Sequence, residues 1–255
     1  MRTPRIACIA LLFLPLVAEA RIVNVQSAAS RKAEEGLTTE VGGSLLWSTG
    51  NTDEAQVSAA LDVLYLTGPH RIFFTARGRR GVQEGQTFAN TVFEHLRYRR
   101  GLSGRLFGEA FLQHEYDEFR RLQFRALFGL GPRLEFVVSE GWEFALGSAA
   151  MLELERLSND GAVDAGRRER NLRWSNYLAV GGEPSEGIAL LHTMYVQPCF
   201  DDFSDLRLLS ESAAVLDVKR WLAVKLAFTA AYDSRPPADV ERLDTNFTTS
   251  LVFRL

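Results

Sequence analysis

The side chains best suited to proton transfer are four histidines, His70, His95, His114 and His192. Acyl transfer would need one of them beside a serine hydroxyl. No His-x-Ser or Ser-x-His spacing occurs, so only a meeting across two strands would build such a pair. Asp201, Asp202 and Asp205, and Asp160 with Asp164, are carboxylates of the kind that hold calcium or bridge lipopolysaccharide through divalent ions. Their loop setting favours plain solvation. Asn51-Thr52-Asp53 lacks the third-position hydroxyl of a glycosylation acceptor, and it lacks the Gly and Glu spacing of a calcium loop. Gly50, Asn51, Thr52 and Asp53 are therefore expected to form a tight turn, with Gly50 and Asn51 at positive φ. Asp233, Ser234, Arg235, Pro236 and Pro237 form a charged loop tip stiffened by two prolines. The sequence predicts no catalytic residue, no cofactor and no bound metal.

The elements that carry these residues have a period of two. In RRLQFRALFGLG, Leu122, Phe124, Ala126, Phe128 and Leu130 share one face, while Arg121, Gln123, Arg125, Leu127 and Gly129 share the other. DLRLLSESAAVLDV, RIFFTARGRR, WLAVKLAFTAAY and the closing LDTNFTTSLVFRL alternate in the same way. About twelve strands are expected, separated by turn signals. Soluble sandwich strands run about 5 to 6 residues, whereas a barrel strand crossing a bilayer needs about 9 to 11. Long alternating strands imply an all-β, antiparallel transmembrane β-barrel, because closure satisfies the backbone where no water is available.

Charges on the alternate phase then face inward. Arg77, Arg79, Arg97, Arg99, Glu109, Arg121, Arg125, Glu143, Glu153, Arg173 and Glu211 are the expected interior charges. Trp47, Tyr65, Tyr98, Trp142, Tyr232 and Phe253 lie near strand ends, where interfacial girdles belong. The shorter turns TGPH, RGLSG, GGEPSEG and VKR are expected on the periplasmic side. STGNTD, GVQEGQ, SNDGAVDAGRR, DDFSD and DSRPPADVER are expected outside. The strand ends around GPRLEFVVSEG are not fixed by the pattern.

Destination is read from the start of the chain. Arg2 and Arg5, the apolar run IACIALLFLPLVA and Ala18-Glu19-Ala20 resemble a cleavable leader over residues 1–20. A periplasmic segment is expected over 21–36 and the barrel over 37–255. The formal net charge of -3 is no basis for nucleic-acid binding. Without the leader only Cys199 remains, so the barrel is expected to hold without an internal disulfide.

STGNTD, the central stretch FEHLRYRRGLSGRLFGEAFLQHEYDEFRRLQFRALFGLGPRL and YDSRPPADVERLDTNFTTSLVFRL occur in an order that resembles domain of unknown function 481. That family comprises the YdiY-like, salt-induced outer-membrane proteins. The resemblance implies a Gram-negative outer-membrane barrel with no established activity and no catalytic residues to carry over. It also implies a last strand, with Leu251, Phe253 and Leu255, that is read by the barrel-insertion machinery. Outer-membrane proteins most often end in an aromatic, and this chain ends in Leu255.

The expectation is therefore a monomer in contact with outer-membrane lipid and lipopolysaccharide. Its role would be structural or that of a narrow passive channel, linked to envelope stress. One alternative is a lipid-modifying acyl hydrolase, which needs a His and a Ser adjacent on the outer wall. The other is a soluble periplasmic barrel for a small apolar ligand, which needs the apolar phase inside.

Overall fold

The computed structural model describes residues 35–139, 141–219 and 221–253. The leader, most of the segment 21–36, and Leu255 lie outside the described residues. Twelve strands follow one another: β1 (Gly36–Ser48), β2 (Glu54–Thr67), β3 (His70–Gln83), β4 (Gln86–Ser103), β5 (Leu106–Asp117) and β6 (Leu122–Ser139). They continue as β7 (Trp142–Leu157), β8 (Arg168–Ser185), β9 (Ile188–Pro198), β10 (Leu206–Lys219), β11 (Leu222–Asp233) and β12 (Leu243–Phe253). All pair antiparallel in sequence order within one sheet. Among the described residues no ladder joins β12 to β1. The curl is instead evident in side chains that reach across it, such as Tyr177 of β8 bonding Glu109 of β5.

Every even-numbered strand before β12 is followed by a two-residue connection (68–69, 104–105, 140–141, 186–187, 220–221). The opposite end carries 49–53, 84–85, 118–121, 158–167, 199–205 and 234–242. These ends are called the short-turn and long-loop ends. The stretch left unassigned in sequence resolves here: GPRLE belongs to the middle of β6, and the turn falls at 140–141. The β6–β7 ladder passes over Gly131 and Pro132 and resumes in register at Arg133, since a proline has no N–H to give it.

Two local expectations need correction. A register shift between Leu122 and Phe124 reverses the phase at the start of β6, so Leu122 is buried inside and Gln123 is exposed. From Arg125 onward the predicted alternation holds, because a bulge displaces only the residues beyond it. In the β1–β2 loop, Gly50 takes φ 115° but Asn51 does not have positive φ. The Asp53 carboxylate accepts the Gly50 N–H at 3.2 Å within a five-residue connection, 49–53.

Candidate functional site

Buried residues define the inward phase, and it is rich in charge. Arg97, Arg99, Glu109, Glu115, Arg125, Arg133, Glu153, Glu155, Arg173 and Arg207 are all buried. The opposite phase exposes Val41, Trp47, Val57, Leu112, Phe128, Leu130, Leu146, Leu172 and Phe247. Polarity is thus inverted relative to a soluble β-protein, whose apolar face would be inside.

The inward charges form two tiers. Nearer the long loops, Glu153 is 0% exposed and accepts from three guanidiniums. Arg125 Nη2 approaches it at 2.6 Å, Arg173 Nε at 2.6 Å, and Arg207 Nη1 also bonds it. Arg173 continues to Asp205 at 2.9 Å, and Arg207 to Glu155 at 3.1 Å and Asp233 at 3.0 Å. Glu115 lies 3.7 Å from Arg125. Nearer the short turns, Glu109 accepts from Arg97 at 2.7 Å and Arg99 at 2.6 Å. The Tyr177 hydroxyl donates to Glu109 at 3.0 Å and accepts from Arg133 at 2.8 Å. Arg133 also holds Glu135 at 2.8 Å, with Arg71 3.6 Å from the same carboxylate.

Between the tiers lies an uncharged layer. Arg97 Nε donates to His95 Nε2 at 3.2 Å, which leaves the ring proton on Nδ1 for Gln113 Oε1 at 2.8 Å. His95 stacks on Phe93 and Phe111. A void here, lined by Leu127, Met151, Tyr195 and Gln197 among others, is about 20 Å³, room for about one water. Gly129 and Gly147 make this density possible. A Cβ at Gly129 would stand 2.2 Å from the Phe111 ring, and one at Gly147 would stand 2.1 Å from the Tyr177 ring.

The other expected interior charges are placed as follows. Arg77 pairs with Asp62 at 3.4 Å and Arg79 bonds Gln56 at 2.8 Å, both half-buried on β3. Glu211 is half-buried on β10, and Glu143 is exposed on the inward phase at the short-turn end. Arg121 is not a wall residue. It sits in the β5–β6 turn at φ 57° and ties three connections together: it bonds Asp160 at 2.6 Å, Asp164 at 2.5 Å and the Ala238 carbonyl at 2.9 Å. Asp164 in turn accepts the Ala238 N–H at 2.8 Å. Arg235 reaches Asp202, and its own N–H donates to Asp233 at 2.9 Å. The loop between β11 and β12 is therefore strapped over the long-loop end. The Arg121 bond pulls the Asp160 pKa down to about 2, and the Ala238 N–H followed by Arg121 lowers that of Asp164.

Sequence pattern missed Arg133, Arg207, Glu115 and Glu155 as tier members. Arg207 already stood on the polar phase of its strand; what was absent was any sign of its partner three strands away. Nor did spacing reveal that His192 Nδ1 and Ser212 Oγ share a 2.9 Å hydrogen bond on the outward face. The two are direct cross-strand partners of β9 and β10. They line an open apolar groove of about 440 Å³ with Trp142, Val180, Leu190, Phe228 and Phe247. His114 faces outward too, 3.2 Å from Glu94, and His70 bonds Tyr98 at 2.7 Å. Among the described residues no three His, Cys, Asp or Glu side chains converge as a metal site would require.

The family described as "Protein of unknown function, DUF481" matches residues 39–255. The chain belongs to the DUF481 family. No curated protein matches it. Among solved structures, this DUF481 chain is similar to the NanC porin in a rhombohedral crystal form, with TM-score 0.50 and 10% identity over 85% of this chain and 99% of that one. It is also similar to the translocator domain of autotransporter NalP from Neisseria meningitidis, with TM-score 0.44 and 13% identity over 90% of this chain and 93% of that one. The first likeness shows the fold, an antiparallel barrel of the outer-membrane type. The DUF481 fold here is thus a barrel with apolar walls and a charged interior.

Proposed function

We propose that this protein is a monomeric outer-membrane barrel whose lumen is stoppered by its own side chains. Its role is structural, with passage limited to a narrow conduit for water and small ions. The observation that carries this reading is the inverted polarity: two tiers of buried ion pairs inside and an apolar phase outside. Strands of 11 to 18 residues are long enough to cross the hydrocarbon when tilted. Two-residue turns suit the periplasmic end and long loops the outer one. A soluble barrel for an apolar ligand would need the apolar phase inside, and a wide porin would need an open lumen in place of one crossed by ion pairs.

The test is heat-modifiability followed by conductance. Unboiled protein from the outer-membrane fraction is expected to migrate faster than boiled protein, and in planar bilayers its steps should be far smaller than those of an open porin. Recovery in the soluble periplasm without a gel shift would overturn the membrane reading. Porin-sized steps would overturn the stopper.

A second reading, acyl-ester hydrolysis at the outer wall, is supported by the His192–Ser212 hydrogen bond in its apolar groove. The direct ladder neighbours of the pair are Val180 and Phe228; neither can orient the imidazole as a carboxylate would. Covalent labelling of Ser212 by a fluorophosphonate, lost in His192→Ala, would establish this reading in place of the purely structural one. Absence of labelling in folded protein would eliminate it.

A further inference from the structure

The long-loop ends of β7 and β8 carry three arginines on the outward phase, Arg156, Arg168 and Arg170, all exposed. Arg156 and Arg168 are direct cross-strand partners, and Arg170 lies opposite Leu154. Like charges placed opposite one another destabilise a ladder unless something neutralises them. None of the three makes an ion pair or side-chain hydrogen bond among the described residues. The nearby loop acids are committed elsewhere: Asp160 and Asp164 hold Arg121, and Glu169 pairs with Arg167 at 3.1 Å. Two carboxylates of the same strands, Glu153 and Glu155, point inward into the tier.

Directly toward the short-turn end, the same outward face turns apolar. Phe124 is the ladder partner of Arg156, and the next outward residues are Leu154, Leu152, Leu172 and Trp174. Trp174 stacks on Phe200 with ring centroids 6.5 Å apart, and Phe203 meets Phe200 edge-on at 6.5 Å. Aromatic rings of this kind mark the boundary between hydrocarbon and headgroups. A guanidinium cluster just above such a boundary is placed where lipid phosphates lie, and arginine suits phosphate because its planar fork can bond two oxygens at once.

We infer that Arg156, Arg168 and Arg170 form a binding site for a phosphorylated, multiply acylated glycolipid of the outer leaflet, its phosphates on the guanidiniums and its chains against Phe124, Leu172 and Trp174. The inference rests on the outer-membrane reading. The neutralising anion thus comes from the lipid, and the loop strap serves to keep Asp160 and Asp164 away from it.

The test uses the full folded protein in zwitterionic detergent, with native mass spectrometry and titration by diphosphorylated lipid A. The same lipid without phosphates, and inorganic phosphate alone, form the other arms. Wild-type protein is expected to retain the diphosphorylated lipid. Arg156→Gln with Arg168→Gln should bind it about tenfold or more weakly, as loss of one charge-assisted hydrogen bond already implies. Lys219→Gln, at the opposite rim, should bind as wild type does. Equal binding of the dephosphorylated lipid, or of wild type and double variant, overturns the site. Inorganic phosphate competing as effectively as the lipid overturns the lipid as its source. Heat-modifiability is read on the same samples: a retained gel shift with no lipid binding sinks only this site, whereas absence of the shift sinks the membrane reading and the site with it.

Discussion

Replacing Glu153 by Gln removes one negative charge from the point where Arg125, Arg173 and Arg207 converge, while keeping the side chain's shape. Each lost charge-assisted hydrogen bond is worth about 1.5 to 3 kcal/mol, but three such losses around one carboxylate are not additive. Arg207 keeps Glu155 and Asp233, Arg173 keeps Asp205, and Arg125 keeps Glu115 within 3.7 Å. The net loss is therefore expected near the cost of breaking one buried pair, about 3 to 5 kcal/mol. The assay is reversible urea unfolding in phospholipid vesicles at neutral pH, followed by tryptophan emission and checked by gel shift. Glu143→Gln is the control, because Glu143 is exposed and such changes stay within about 0.5 kcal/mol. A loss below about 1 kcal/mol for Glu153→Gln, the size of a surface ion pair, would refute the claim that this tier is a dry, interlocked stopper.

Other outcomes follow from the same geometry. Gly147→Ala should cost about 1 to 3 kcal/mol, because its Cβ must displace the Tyr177 ring, whereas Gly43→Ala meets only an ordinary 3.5 Å contact; unfolding midpoints compare the two. Arg121→Ala should release the strap, and trypsin should then cut at Arg242 while the barrel still shows its gel shift; unchanged protection would refute the strap. The strap's acids have folded pKa values below their ordinary value of 3.8, Asp160 at about 2. The contribution of Asp160 is thus complete above about pH 4 and is lost as pH falls through about 2, and that of Asp164 is likewise lost on acidification below its ordinary value. Spin-label distances between the β7–β8 and β11–β12 loops should hold at pH 5 and lengthen near pH 2, and lengthening already at pH 5 would contradict this.

The strands were legible because alternation is a local property: Phe124, Phe128 and Leu130 on one phase and Arg125 and Leu127 on the other follow from spacing alone. What spacing cannot carry is a bulge, and so Leu122 and Gln123 exchanged sides. It also cannot carry a chord across the barrel. Arg125 could be read as inward, but its meeting with Glu153, and that of Arg207 with the same carboxylate, depends on the curl of the sheet. Arg121 was misread for a related reason: it continues the polar phase of β6 in sequence, yet its positive φ takes it out of the strand. The His192–Ser212 pair was hidden by register, which here is set through the seven-residue β9–β10 connection and not through any spacing motif.

The stopper also bears on the order of assembly. Among the described residues every ladder joins strands adjacent in sequence, so the wall can grow hairpin by hairpin, but the tiers it carries are completed only when more distant strands arrive. Glu153 of β7 finds Arg125 on β6 but gains Arg207 only with β10, and Glu109 of β5 finds Arg97 and Arg99 on β4 but gains the Tyr177 hydroxyl only with β8. A half-built sheet would bring incompletely bonded guanidiniums and carboxylates out of water, where an ion left uncompensated costs several kcal/mol. The long-loop tier therefore has its full set of bonds only once the tenth strand is in place. On the outer-membrane reading, insertion of this chain is expected to follow the zipping of its strands.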